Sequence, residues 1–213
     1  MVGAFARADP PYRIHTQRLV VRCWDPPDAP LLKEAVDSSP DHLKPWMPWA
    51  EAEPRPLPEK VALLRRFRGA FDVGEDFVYG LFTRDESEVV GGSGLHTRVG
   101  EEAFEIGYWV RADRVGQGLV TEAVAALTRV AFEVAAAERV EIRVDPANER
   151  SLRVARRLGF VEEATLRQRL PVSNADARRR DVVVFSLLAD ELAGSPAASA
   201  ALEAFDAAGT RVL

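Results

Sequence analysis

Apolar positions recur along the chain with two periods, and the switches between them mark its elements. From Leu119 the residues Leu119, Ala123, Leu127, Val130 and Val134 return every three or four positions, the spacing of one helix face. Just before them, Ala103 to Val110 ends in Tyr108, Trp109 and Val110, aromatic and β-branched types that strands favour. Gly116 and Gly118 stand between the two, so a strand runs through a glycine turn into a long helix. The same reading predicts strands at Arg13 to Trp24, Phe77 to Thr83, Val89 to Arg98, Arg139 to Val144, Phe160 to Arg169 and Arg180 to Leu188. It predicts further helices from Asp28 to Ser38, from Glu59 to Phe71, and from Glu149 to Leu158, the last stopped by Gly159. The run from His42 to Trp49 and the prolines from Pro54 to Pro58 read as one long loop, and Val172 to Arg179 as a polar one.

The order β-α-α-β-β-β-α-β-α-β-β predicts an α+β layer fold around a mixed sheet of about seven strands flanked by helices. Residues 1–11 read as a flexible leader, 12–188 as one domain, and 189–213, rich in Ala, Ser and Gly, as a tail or short helix. A chain of 213 residues with 47% apolar content is enough for one such core. Its formal charge of −5 argues against a general nucleic-acid binder, which is usually strongly basic. The single cysteine, Cys23, allows no internal disulfide and reads as core filling. Neither a signal-peptide run at the start nor a bilayer-length apolar stretch is present, so the expected setting is cytoplasmic, away from membranes.

A strand that ends in glycines and feeds a helix offers unpaired N–H groups, and the helix dipole, to an anion. A dinucleotide fingerprint needs a third glycine where Thr121 stands, and a Walker A loop needs a Gly-Lys-Ser/Thr ending that is absent. A tight turn without any ligand is the remaining alternative.

A second segment, Asn148-Glu-Arg-Ser151 followed by Leu158-Gly-Phe160, joins the turn Asp113-Arg-Val-Gly-Gln-Gly118. Together they resemble the GNAT superfamily of N-acetyltransferases, over about residues 12–188. Thr121-Glu122-Ala123, the Glu105-x-Gly-Tyr-Trp start and the Trp46/Trp49 loop look most like its RimJ/RimL branch, which acetylates protein N-termini and related amines. The resemblance implies a GNAT-like, mostly antiparallel sheet whose central parallel strands splay apart. It implies acetyl-CoA as cosubstrate, no metal, and a peptide N-terminus or small amine as acceptor. Dimers occur in the family, although no interface is evident in this sequence. An acyl-CoA-binding regulatory module with little turnover is the alternative. Two departures favour that alternative: Asp113 stands where Gln or Arg is usual, and Ala155 where many relatives carry a tyrosine that protonates the thiolate.

Carried onto this chain, the resemblance assigns the pyrophosphate to the backbone of Val115, Gly116, Gln117, Gly118 and Leu119, helped by Arg114. The pantetheine arm falls to the backbone of Tyr108, Trp109 and Val110 and to Asn148. Glu105 is the expected base, acting directly or through water, and His96 on the neighbouring strand is its alternative. Ser151, one helical turn after Asn148, is the expected hydrogen-bond partner of the leaving thiolate. Trp46 and Trp49, with His96, are expected to line the acceptor pocket, with Arg167 and Arg169 near the same cleft.

Overall fold

The computed structural model describes residues 9–170 and 179–213. Most of the leader and nearly all of the polar loop therefore lie outside the described residues. Nine strands in these residues form one sheet, in the order β7-β8-β6-β5-β4-β3-β2-β1-β9. They are β1 (Arg13–His15), β2 (Leu19–Cys23), β3 (Phe77–Thr83), β4 (Val89–His96), β5 (Ala103–Val110), β6 (Arg139–Val144), β7 (Val161–Leu170), β8 (Arg180–Leu188) and β9 (Glu203–Phe205). The helices are α1 (Ala29–Asp37), α2 (Pro40–Leu43), α3 (Leu57–Asp72), α4 (Leu119–Glu133) and α5 (Glu149–Arg157).

Nine strands replace the expected seven for two local reasons. The run read as one strand, Arg13 to Trp24, is a hairpin: the Thr16 N–H donates to the Leu19 carbonyl (2.9 Å), and β1 turns back on β2 with Ile14 facing Val21. The Ala-rich tail contributes β9, which pairs antiparallel with β1 and closes that sheet edge. The rest of the tail holds short 3₁₀ turns at Ala189–Gly194 and Pro196–Ser199.

Alternation along the strands builds two apolar layers. Val21, Leu81, Leu95, Phe104, Ile106 and Ile142 face α4 and α5 on one side of the sheet. Val20, Phe82 and Val89 face α1 and α3 on the other, with Trp24 beside them. α4 buries a wide stripe that includes Ala123, Leu127, Val130 and Ala131, which explains its dense alanine content against a flat sheet. α5 stops where the sequence says: Gly159 takes φ +86°, and the Phe160 N–H donates back to the Ala155 carbonyl. Cys23 is buried, and burial pushes its thiol up to about 11.

Among the described residues the only parallel pair is β5 with β6, matched over Ala103↔Arg139, Phe104↔Val140 and Glu105↔Glu141. The matching stops there, while β5 runs on to Val110 and β6 to Val144. Beyond Glu105 the two central strands part, and the β6-facing backbone edge of β5 is left open.

Candidate active site

The glycine turn sits at the open end of that splay. Arg111 to Val115 passes through a short 3₁₀ turn (Ala112–Arg114), and Gly116 (φ +80°) and Gly118 (φ +77°) take the left-handed conformation that favours glycine. Gly118 is the N-cap of α4. Among the described residues no backbone acceptor takes up the N–H groups of Val115, Gly116, Gln117, Gly118 or Leu119. The result is a cluster of backbone donors at a helix N-terminus, suited to a phosphate.

Asp113 does not aim its charge into this cradle. Its carboxylate accepts from Arg111 Nε (3.1 Å) and Nη2 (3.2 Å), and these bonds hold it below the usual carboxylate range. Arg111 also meets Glu88 (3.1 Å) and Glu34 (3.4 Å), and Arg114 pairs with Glu88. Both nearby cations are thus engaged. A third cation, absent from the sequence reading, reaches the turn from the β1–β2 hairpin. Arg18 donates from Nη1 to the Gln117 carbonyl (2.8 Å) and from Nε to Glu122 Oε2 (2.6 Å). Its backbone N–H and the Thr16 hydroxyl both donate to Glu122 Oε1 (2.8 and 2.7 Å). Burial works to raise the Glu122 pKa, but the bonds from Thr16 and Arg18 outweigh it and leave the carboxyl below its ordinary value.

On the helix-α4 side of the splay, Asn148 is the N-cap of α5, its Oδ1 accepting from the Ser151 N–H (3.2 Å). The Tyr108 hydroxyl donates to the Ser151 carbonyl (3.2 Å), and burial pushes this phenol well up. Tyr108, Asn148 and Ser151 are therefore brought together, with the Ser151 hydroxyl making no protein hydrogen bond among those described. Ala155 lies buried in the core face of α5.

The opposite face of the central strands carries the remaining candidates. Register places Gly92 opposite Trp109, Gly94 opposite Gly107 and His96 opposite Glu105, all on one face. A Cβ on Gly92 would come 2.5 Å from Trp109 Nε1, and one on Gly94 would come 2.7 Å from His96 Nε2. The glycines are the floor on which these two rings lie. Trp49, from the 3₁₀ turn Pro48–Ala52, packs edge-on against Trp109 with centroids 5.8 Å apart. Trp24, Trp49, Phe67, Val78 and Trp109 wall a cavity of about 190 Å³, which Glu53 and Lys60 also line. Lys60 Nζ donates to Glu53 Oε1 (2.6 Å), and both side chains are nearly inaccessible. Trp46 is half-buried in the turn after α2 and lies outside the cavity lining.

Glu105 is buried and committed. Arg98 Nη2 and Nε donate to its two oxygens (2.5 and 3.0 Å), and Arg143 Nε stands 3.7 Å away. Arg143 and Arg139 in turn hold Glu141 (3.0 and 2.8 Å), and Arg139 pairs with Glu163 on β7. His96 has an acid partner of its own: Nδ1 faces Asp76 Oδ1 and Oδ2 at 2.9 and 3.1 Å. Arg167 and Arg169 are exposed on edge strand β7, separated from β5 by β8 and β6. Among the described residues no cluster of His, Cys, Asp and Glu could hold a metal, and no helix is long and apolar enough to cross a membrane.

Sequence reasoning missed Arg18, Asp76, Arg98, Glu53 and Lys60. Arg18 lies 104 residues from Glu122 and Asp76 20 from His96, while Arg98–Glu105 and Glu53–Lys60 are seven apart but joined across a strand turn or a loop-to-helix packing that no short-range pattern marks.

The proteins this chain is similar to include acetyltransferases. The profile of the acetyltransferase (GNAT) domain matches residues 18–161. The ribosomal protein uS5-alanine N-acetyltransferase of Escherichia coli (strain K12) is 30% identical over 183 residues, covering 84% of this chain and 91% of that protein. Mycobacterium smegmatis RimJ, solved with a CoA disulfide, superimposes with a TM-score of 0.78 at 25% identity, over 91% of this chain and 95% of its own. RimL, the ribosomal L7/L12 alpha-N-protein acetyltransferase solved with coenzyme A, shares the fold at a TM-score of 0.74 and 21% identity, over 82% of this chain and 96% of its own. A donor cradle at the end of a splayed strand, and a profile match across most of the length, lead to one conclusion: this chain belongs to the GNAT acetyltransferase family.

Proposed function

We propose that this protein transfers the acetyl group of acetyl-CoA to the α-amine of a protein N-terminus, by direct attack in a ternary complex. The observation that carries the reading is the opening between β5 and β6. At one end lies a cluster of N–H groups from Val115 to Leu119 that meet no backbone acceptor among the described residues. Along one side runs the β6-facing edge of β5 at Tyr108, Trp109 and Val110, which pairs with β4 but not with β6, and across it lie Asn148 and Ser151. In this reading the first binds the pyrophosphate and the second the pantetheine arm. One β5 N–H holds the thioester oxygen as it gains negative charge in the tetrahedral intermediate.

The acceptor enters over the glycine floor, with Trp49 and Trp109 as its wall and the group that takes its proton drawn from the same face, where Glu105 and His96 flank Gly107. The amine nitrogen bonds to the thioester carbon, the C–S bond breaks, and the electron pair leaves on sulfur. An α-amine, with an ordinary pKa of about 8, is far easier to deprotonate near neutrality than a lysine amine at about 10.4. The thiolate leaves as the anion of a thiol whose pKa is about that of free cysteine, about 8.5. Loss of the tyrosine at Ala155 is therefore tolerable, and the Ser151 hydroxyl stands by as its hydrogen-bond partner. The relatives acting on uS5 alanine and on L7/L12 alpha-amines support a peptide N-terminus as acceptor. A cytoplasmic setting and a homodimer belong to the same reading.

Acetyl-CoA is expected to raise the melting temperature by mass action, with ATP and NAD without effect. Thiol release is expected with peptides bearing a free N-terminal Ala or Ser, and not with the same peptides N-acetylated. Stabilisation by ATP or NAD alone, or acetyl-CoA binding without turnover of any such peptide, would count against the proposal. Gly118→Glu puts a strained, negatively charged side chain into the cradle and is expected to abolish acetyl-CoA stabilisation; retained affinity would displace the pyrophosphate from this turn.

A further inference from the structure

We infer that His96, oriented by Asp76, is the base that receives the acceptor's proton, and that Glu105 is a braced neighbour. The inference rests on the acetyl-transfer reading above. Both residues stand on the same sheet face, opposite each other in register. Their hydrogen bonding separates them. Glu105 receives one donor from Arg98 on each oxygen and has Arg143 at 3.7 Å, so it would take up a proton in competition with a bound guanidinium. His96 spends one nitrogen alone. A carboxylate can only accept, so Asp76 favours the hydrogen on Nδ1, and in the neutral ring that assigns the lone pair to Nε2.

Nε2 makes no protein hydrogen bond among those described, and its place is defined by two glycines. A Cβ on Gly94 would come 2.7 Å from it, and one on Gly107 3.3 Å. Gly94 and Gly107 are cross-strand partners, and Gly107 is the second residue past the last parallel pair, Glu105↔Glu141. The free nitrogen thus lies over β5 where the strand leaves β6, on the face walled by Trp49 and Trp109. The side chain is 17% exposed, enough for contact with an incoming amine and little enough to hold one ring orientation.

The step balances without another reactant. As the amine nitrogen bonds to the thioester carbon, its N–H proton passes to Nε2 and the ring becomes an imidazolium against the Asp76 carboxylate. The C–S bond then breaks and its electron pair leaves on sulfur. The thiolate takes up one proton and the imidazolium gives one up, directly or through water. Amide and CoA thiol result, with His96 neutral again.

The test uses the full chain, acetyl-CoA and a synthetic peptide with a free N-terminal alanine. His96→Ala is expected to lower kcat by about 10²-fold or more, the range of a lost general base, with the acetyl-CoA dissociation constant unchanged. Added imidazole is expected to restore part of the rate. Asp76→Asn, a positioning change, is expected to lower kcat by about tenfold, with Asp76→Glu recovering most of it. Retention of kcat in His96→Ala, or a loss that imidazole does not touch while Glu105→Gln loses as much, overturns the assignment. Should His96→Ala fold poorly, His96→Gln takes its place. ¹⁵N spectra of the wild-type histidines give a readout free of turnover: His96 protonated at Nδ1 supports the dyad, and protonation at Nε2 alone overturns it. A wild-type enzyme that turns over no peptide would refute the transfer reading, while the spectra would still decide the dyad.

Discussion

Two adjacent glycines on β4 look interchangeable in the sequence and are not. A Cβ on Gly91 would press into the Trp109 carbonyl of the paired strand, and backbone cannot retreat without breaking the ladder. Gly91→Ala is expected to cost about 1–3 kcal/mol, the range for overpacking, read as a lower urea midpoint. A Cβ on Gly92 would meet the Trp109 indole, which can swing. Gly92→Ala is therefore expected to raise the acceptor KM severalfold by disturbing the Trp49–Trp109 wall, while acetyl-CoA affinity holds. Equal effects on both ligands would contradict the separation of the two sites across the sheet. At this scale the sequence reading did well wherever chemistry was local. Gly116, Gly118 and Gly159 could be placed from their flanking patterns, because left-handed backbone favours that residue at a strand-to-helix turn or a helix stop. It did poorly wherever a side chain's partner was remote or packed across a loop: nothing within a few residues of His96 announces Asp76, and nothing in the proline-rich run marks Lys60, seven residues on, as the buried partner of Glu53.

Among elements, the β1–β2 hairpin does more than add two strands. Its turn fixes Glu122 in the first turn of α4 and the Gln117 carbonyl in the cradle. Without Arg18, the Glu122 carboxylate would face an incoming pyrophosphate uncompensated. Arg18 is half-exposed and its bonds go to Glu122 and Gln117, so solvent screens them; Arg18→Ala is expected to weaken acetyl-CoA severalfold by calorimetry, with kcat at saturating acetyl-CoA nearly unchanged. An unaltered dissociation constant would make the hairpin a bystander. The hairpin was hidden because Thr16-Gln-Arg18 holds neither Gly nor Pro, the usual marks of a break between strands. β9 was hidden because three residues in an Ala-rich stretch carry too little alternation to register. The longer elements, α3, α4 and the meander β3–β4–β5, were legible because each repeats its period over several turns or pleats.

For the molecule as a whole, ion pairs reaching from the sheet strands to neighbouring strands and turns are expected to contribute to its tolerance of acid. Hydrogen bonds from Arg13 hold Glu86 below its ordinary 4.5 against the opposing effect of burial, with Arg22 adding to them. Arg139 holds Glu163 down to about 2, helped by the Ser186 hydroxyl. Both carboxyls are more acidic folded than unfolded, so the unfolded chain takes up protons first. Their contribution is complete above about pH 4.5 and is lost as pH falls toward about 2. Urea midpoints are expected to hold level above that window and drop within it, with a shallower drop in Glu163→Gln. A midpoint independent of pH across that window would mean these pairs contribute nothing.

The C-terminal strand has a consequence for how the ends of the chain behave. β9 lies on β1, β1 folds onto β2, and the turn between them grips the loop proposed to hold pyrophosphate. Opening of that edge and release of the ligand are then expected to be coupled. Backbone amide exchange across the Ile14↔Ala204 pair is expected to slow when acetyl-CoA is present, by up to the mass-action factor of about 100 at hundredfold excess over its dissociation constant. Removal of residues from Glu203 onward is expected to loosen cofactor binding through β1 and the hairpin turn, the route that ties this short strand to the cradle.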